Sequence, residues 1–245
     1  MNERVVLSVT GDDKIPFLQN LVTNDVDRAT DGIVYAALLT PQGKFIADFF
    51  IVGDDEQLLI DVAASHAPSL AQKLTMYRLR AAVQIAETEI IVSRGTGPVP
   101  DGAMPDPRNP AMGWRFYGAE DRSDDTDWDA LRVAHIIPKT GIELTPDSYL
   151  LECGFERLNG IDFKKGCYVG QEINARMKHK TELRKGLVKV TIDGAAPVGT
   201  RILTGDGKEA GTLFTQSGKA ALAHLRFDRA KGTLQAGDAD ITADL

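Results

Sequence analysis

From Leu183 onward the chain settles into a period of two. Residues 186–192, 200–204, 209–215 and 220–225 read as short strands, and Gly205-Asp206-Gly207 reads as a turn between two of them. Alternation gives each strand one apolar face, and short ribbons of this kind must close against one another to bury it. The segment 183–245 is therefore expected to form a small β-barrel.

The remainder mixes periods. Residues 5–9 read as a strand. Gly11-Asp12-Asp13 then supplies turn and capping chemistry, Pro16 suits an early helical position, and Phe17, Leu18, Leu21 and Val22 form a helical stripe. Two β-rich runs, 33–40 and 45–52, flank Pro41-Gln42-Gly43-Lys44, a hairpin signal. A strand over 57–63 follows. Ser65 is placed to cap a helix running to about Leu79, with Leu70, Leu74 and Tyr77 on one face. Residues 82–86 and 89–93 return to strand character. Residues 94–127 hold five of the eleven prolines (Pro98, Pro100, Pro105, Pro107, Pro110) and an acidic cluster from Asp121 to Asp127. They read as a loop or inter-lobe connection, with a strand at 113–117. A helix is expected from Trp128 to Ile137, ended by Pro138. Thr145-Pro146 reads as a second helix start, and a third helix follows Gly170 to about Lys180.

The composition narrows the function classes. With 28 basic and 35 acidic residues the formal charge is −7, which excludes bulk binding to nucleic acid or membrane and leaves any anionic partner to a local patch. No apolar run approaches the roughly 18–20 residues of a membrane span. The two cysteines, Cys153 and Cys167, form no C-x-x-C pattern and argue against a disulfide framework. Met1-Asn2-Glu3-Arg4 lacks the apolar core of a signal peptide. A cytoplasmic location is the expectation. His66, His135, His179 and His224 are scattered without metal-ligand companions, and there is no P-loop or dinucleotide fingerprint.

One stretch carries chemistry: Lys164-Lys165-Gly166-Cys167-Tyr168-Val169-Gly170-Gln171-Glu172. A cysteine sits between two glycines, behind two lysines and ahead of an expected helix. Cations and a helix N-terminus favour thiolate, and glycines let backbone or ligand approach closely. Between Gly160 and Lys189 eight basic residues (Lys164, Lys165, Arg176, Lys178, Lys180, Arg184, Lys185, Lys189) face three acidic ones, a local charge of +5. Such a patch suits a polyanion, but equally a solvated helix face. A lone cysteine is more often an inert core residue than a nucleophile. Cys153, between Leu150-Leu151 and Phe155, is expected to be core.

Residues 165–172, KGCYVGQE, resemble the K-G-C-[FY]-x-G-Q-E signature of the YgfZ-type, folate-binding relatives of the glycine-cleavage T-protein. Three weaker matches lie in the family's order: 17–26 (FLQNLVTNDV), 39–44 (LTPQGK) and 141–146 (GIELTP). The resemblance implies an α+β, T-protein-like fold: two intertwined α/β lobes around a central cleft, plus a small C-terminal β-barrel. Residues 1–40 and 128–182 would form the first lobe, 41–127 the second, and 183–245 the barrel. It implies a cleft for tetrahydrofolate or a derivative, with Asn24, Asp48, Arg132, Lys165, Gly166, Tyr168, Gln171, Glu172 and Arg176 as binding residues. It also implies a role in iron–sulfur cluster assembly or repair, supporting iron–sulfur tRNA-modifying enzymes through Cys167.

Two departures weaken the folate expectation. The aminomethyltransferases carry paired aspartates after the hairpin, and Ala47-Asp48 here keeps one. They also carry a pteridine-gripping glutamate where Arg132-Val133-Ala134-His135 has Ala134. A carboxylate matches a paired N–H face, so its loss implies weak binding. An accessory factor is therefore expected rather than an enzyme. Cys167 would share a transient iron–sulfur cluster with an assembly or client protein, and RNA would be a further contact for the 164–189 patch. The alternative is a folate-dependent one-carbon (aminomethyl) transferase, with Asp48 as acid or base.

Overall fold

In the computed structural model, which describes residues 3–179 and 182–243, the chain opens with strand β1 (Arg4–Thr10), helix α1 (Lys14–Gln19) and strands β2 (Val34–Leu39), β3 (Phe45–Gly53) and β4 (Gln57–Ala63). Helix α2 (Ala67–Arg78) leads to β5 (Gln84–Glu87), β6 (Ile91–Gly95), β7 (Met104–Pro105) and β8 (Trp114–Gly118). Helices α3 (Trp128–His135) and α4 (Gln171–His179) precede β9 (Lys185–Asp193), β10 (Arg201–Thr204), β11 (Glu209–Ser217), β12 (Ala220–Arg226), β13 (Leu234–Ala236) and β14 (Ala239–Thr242). These elements divide into two units, 1–126 with 155–175, and 127–154 with 176–245.

The first unit is built on an antiparallel five-stranded sheet in the order β2-β3-β4-β1-β5. Its strands are apolar on the side facing the helices: Leu38, Ala47, Phe49, Ile60 and Val62 pack with Phe17 and Leu18 of α1 and Leu70 and Leu74 of α2. The other side differs. Tyr35, Phe50, Asp61 and Val6 stand in register across β2, β3, β4 and β1, so a carboxylate sits in mid-sheet. It is met by arginines. Asp61 accepts from Arg4 Nε at 2.6 Å and from Arg115 Nη2, on β8, at 2.5 Å. Asp106 binds Arg108 at 2.8 Å and Arg115 at 3.4 Å. The guanidinium groups of Arg115 and Arg108 lie 3.8 and 4.8 Å from the Phe50 ring centroid, a cation–π arrangement. Burial works to raise the Asp61 and Asp106 carboxyls, but the neighbouring guanidiniums outweigh it and hold both below their usual range.

The second unit contains a closed barrel, in the order β10-β11-β12-β9-β14-β13, around Val190, Ile192, Ile202, Leu213, Leu225, Leu234 and Ile241. The period of two in the sequence is thus the barrel's inside–outside alternation. Helix α3 belongs to this unit. Its buried Arg132 pairs with Glu143 at 2.9 Å and donates to Thr215 Oγ1 of β11 at 2.8 Å.

Several expectations are corrected. The boundary at 40/41 passes through the β2–β3 hairpin, and residues 4–10, 34–39, 45–53 and 57–63 share one sheet; the hydrogen bonds of that sheet join what the proposed lobes would separate. No helix starts at Thr145-Pro146. Turns run on to 159, broken by Gly154 (φ 77°) and Asn159 (φ 54°) in left-handed conformation. Ser65 does not cap α2. The cap position is His66, and Ser65 Oγ bonds its ring Nδ1 at 2.9 Å. The proline-rich 94–127 stretch is not one loop, since β8 pairs with both β6 and β7 in a three-stranded sheet. Lys180, the expected end of α4, lies outside the described residues.

Candidate functional site

The signature segment follows Asp162, whose backbone N–H donates to Thr23 O at 3.0 Å. The Asp162 carboxylate then accepts from the N–H groups of Lys164 (2.7 Å) and Lys165 (3.2 Å), which fixes a tight turn. Lys165 bends inward. Its Nζ donates to three backbone carbonyls, Gln19 at 2.8 Å, Val22 at 2.7 Å and Asn24 at 2.8 Å. Gln19 is the last residue of α1 and Val22 and Asn24 follow it, so the lysine gathers the end of that helix and the chain leaving it from a position far along the chain. Burial pushes the Lys165 ammonium down to about 8, with Asp25, Asp162 and Asp27 acting the other way.

The residues after Cys167 also turn inward. Tyr168 is buried, its hydroxyl accepting from Asn174 Nδ2 of α4 at 3.3 Å. Val169 packs on the helix-side core. Gly170, at φ 84°, lies so close to the β2–β3 turn that a Cβ there would stand 2.7 Å from Thr40 O. Gly43, at φ 72°, meets Ile173 in the same way, at 2.7 Å. Neither position accepts a side chain without moving backbone or α4. Gly166 is different, because a Cβ there would meet nothing within 4 Å. It leaves the flank of the cysteine open and relieves no clash.

Cys167 is thus left exposed while its neighbours are spent inside. Cys153 is buried, and its thiol is pushed up to about 12, mainly by burial. Alkylation of the native protein near neutral pH is expected to label Cys167 alone, with a second label only on unfolding. Mass spectrometry of the adducts checks this, and native labelling of both cysteines at similar rates would contradict the assignment.

Several of the expected binding residues are engaged within the protein. Asn24 is buried and saturated: Nδ2 donates to Tyr35 O and Asn159 O, both at 2.7 Å, and Oδ1 accepts from Asp25 N and Arg28 Nη2. Asp48 is buried and accepts from Tyr35 Oη at 2.9 Å. Arg132 is consumed by Glu143, Thr215, Asp129 and Ile137 O. Gln171 is half-buried, while Glu172 and Arg176 are exposed on α4. Ala47 lies in the apolar core, on the face of β3 opposite Asp48, so its lack of a carboxylate removes nothing from Asp48's side. Ala134 is exposed on α3. Asn24, Asp48, Arg132 and Lys165 thus already spend polar atoms within the protein. Of the basic patch, Lys165 is occupied and Lys185 pairs with Glu152 at 3.4 Å, so these two of its cations are engaged within the protein. Among the described residues no three His, Cys, Asp or Glu side chains come together to hold a metal. Sequence reasoning missed the Arg4–Asp61–Arg115–Asp106–Arg108 network. Its signal was a charged residue inside an apolar strand, Asp61 within Leu58–Val62.

Residues 184–245 match the family model of the CAF17 C-terminal β-barrel domain. The chain is 29% identical to the mitochondrial iron–sulfur cluster assembly factor IBA57 of Mus musculus, over 96% of this chain and 78% of that protein. It is 28% identical to the Homo sapiens protein of the same name, with the same coverages of 96% and 78%.

The chain resembles the IBA57 assembly factors along nearly its whole length.

A Mycosarcoma maydis IBA57 homolog is 29% identical over 77% of this chain, which spans only 55% of that longer protein. Among solved structures, the glycine cleavage system aminomethyltransferase T of Bartonella henselae superposes with a TM-score of 0.74 over 98% of this chain and 82% of its own, at 12% identity. The chain therefore has the T-protein-like fold, mixed α and β with a C-terminal six-stranded barrel. The relatives bear the IBA57 name rather than that of the related YgfZ type. They are also named as mitochondrial proteins, which overturns the cytoplasmic expectation. That expectation rested on cysteine usage and on the first residues of the chain, and neither reports a compartment.

Proposed function

We propose that this chain is an iron–sulfur cluster assembly factor that presents the Cys167 thiolate to a cluster or to a protein carrying one. The observation that carries the reading is the division of labour in the signature segment. Lys165, Tyr168, Val169 and Gly170 are spent on placing the segment, and Cys167 is left exposed. A thiolate is the ordinary ligand of cluster iron, and a single cysteine supplies one of the four positions that a [2Fe–2S] unit requires. A partner carrying cluster ligands must supply the rest, so the cluster is cargo. The IBA57 relatives, named as assembly factors, support the same reading. The transferase reading is weaker because Asp48, its acid or base, is buried against Tyr35 Oη.

Anaerobic reconstitution with iron and sulfide tests the proposal, using this chain mixed with an A-type cluster scaffold protein. A visible charge-transfer absorption is expected to differ between the mixture and the scaffold alone, and Cys167→Ser should erase that difference. A spectrum indifferent to Cys167→Ser would refute the role of the thiol.

A further inference from the structure

The α2–β5 corner carries features that the Cys167 reading does not use. Helix α2 ends at Leu79, which has φ 45° and ψ −102°, an outlying backbone conformation for a branched residue. Burial does not compensate, since Leu79 is 87% exposed and Met76, one helical turn back, is 69% exposed. Two large apolar side chains three positions apart are therefore both open to solvent, Leu79 on an outlying backbone. Arg78 and Arg80 flank them, both exposed, and Arg80 has no partner among the described residues. Basic residues predominate along α2 and the turn after it, with Asp12 and Glu87 as acidic neighbours. From Asp61 to Glu87 the sequence holds no acidic residue between them, while Lys73, Arg78 and Arg80 fall inside that span, in a chain of net −7. A cavity of about 540 Å³ opens here, lined by Asp12, Arg78, Leu79, Arg80, Ala82 and Gln84. Beside it runs β5, the outer strand of the five-stranded sheet, three of its four residues exposed. An edge strand offers a row of unpaired N–H and C=O groups.

We propose that this corner docks an acidic, extended segment of a partner protein. The segment adds alongside β5, its carboxylates meet Arg78 and Arg80, and an apolar side chain seats against Leu79 and Met76. The surface lies at the far edge of the sheet from the β2–β3 turn that holds the Cys167 segment, about four strand spacings or roughly 19 Å away. It is therefore independent of the thiol.

The test uses a short fluorescein-labelled peptide that alternates glutamate with leucine, titrated with the full chain and followed by anisotropy. Saturable binding is expected, weakened by salt and reduced roughly tenfold or more by Leu79→Asp or by Arg80→Glu. Cys167→Ser should bind unchanged. Circular dichroism melts of the two surface variants should match the parent, as both positions are exposed. The proposal is overturned if the peptide does not bind saturably, if a lysine-for-glutamate peptide binds equally, or if Leu79→Asp has no effect. It is also overturned if the same variants instead abolish binding to anionic vesicles or to an oligonucleotide, or self-association seen by sedimentation, because the occupant is then a lipid surface, a nucleic acid or a second copy.

Discussion

Replacing Cys167 with serine is expected to abolish rescue of a cell that lacks its own assembly factor, with the thermal melt unchanged within about 0.5 kcal/mol. The residue is exposed, and the contacts that place its segment belong to its neighbours, so removing the sulfur should cost function and not fold. Serine is nearly isosteric but a far poorer ligand for a soft metal and a poorer nucleophile. Asp48→Asn forms the contrast. Asparagine keeps an oxygen to accept from Tyr35 Oη, so rescue is expected to survive. The readout is the activity of a cluster-dependent enzyme in the rescued cells. Full rescue by Cys167→Ser would remove the thiol from the mechanism, and loss of rescue by a well-folded Asp48→Asn would revive the transferase.

The largest effect on stability is expected from Arg115→Met. Arg115 and Asp61 side chains are 2% and 0% exposed, and Asp106 is 2% exposed. Methionine fills much of the arginine volume but strands two carboxylates that Arg115 partly neutralised. Breaking a buried pair from one side typically costs about 3–5 kcal/mol. Urea unfolding with an unchanged m-value checks the magnitude, and a loss below about 1 kcal/mol would mean that Arg4 and Arg108 suffice. A pH dependence follows. Both carboxyls titrate below their usual range in the folded state, so their contribution is fully present above the unfolded value of about 3.9 and drains away as pH falls through the depressed folded values. The parent should therefore lose stability steeply only in acid. In Arg115→Met the carboxyls lose a cation that held them down, so stability should begin to fall at a higher pH.

The sequence was most legible where one periodicity governed one element. The barrel strands announced themselves by alternation over 186–225, and the β2–β3 hairpin by Pro41–Lys44. The closing strands of the barrel, Leu234–Ala236 and Ala239–Thr242, are too short for alternation to register, and only the turn at Gly237 (φ 61°) marked them. Cys153 as core and Cys167 as exposed were readable from their flanks, Leu150-Leu151 against Gly166. The role of Lys165 was not. A lysine beside a cysteine suggests a charge acting on the thiol, yet its ammonium is committed to carbonyls of residues 19, 22 and 24. Asn24 and Arg132 are likewise committed within the protein. A motif says that a polar residue is needed, but one partner of each lies far along the chain (Asn159 O for Asn24, Thr215 Oγ1 for Arg132), and local pattern carries no record of it. The ion network around Phe50 draws on residues 4, 61, 106, 108 and 115, and the lone charge of Asp61 in its apolar strand was its one local trace.

The path of the chain gives the Lys165 clasp a consequence in time. During synthesis residues 1–126 emerge first and can assemble the five-stranded sheet, but the carbonyls of Gln19, Val22 and Asn24 stay unclaimed until Lys165 arrives some 140 positions later. Contacts of such long sequence separation form late. Tyr168 and Gly170 close onto α4 and the β2–β3 turn at the same stage. The Cys167 sulfur is therefore set in place among the last acts of folding, so a nascent or truncated chain that stops before this point holds the sheet but not a mounted thiol.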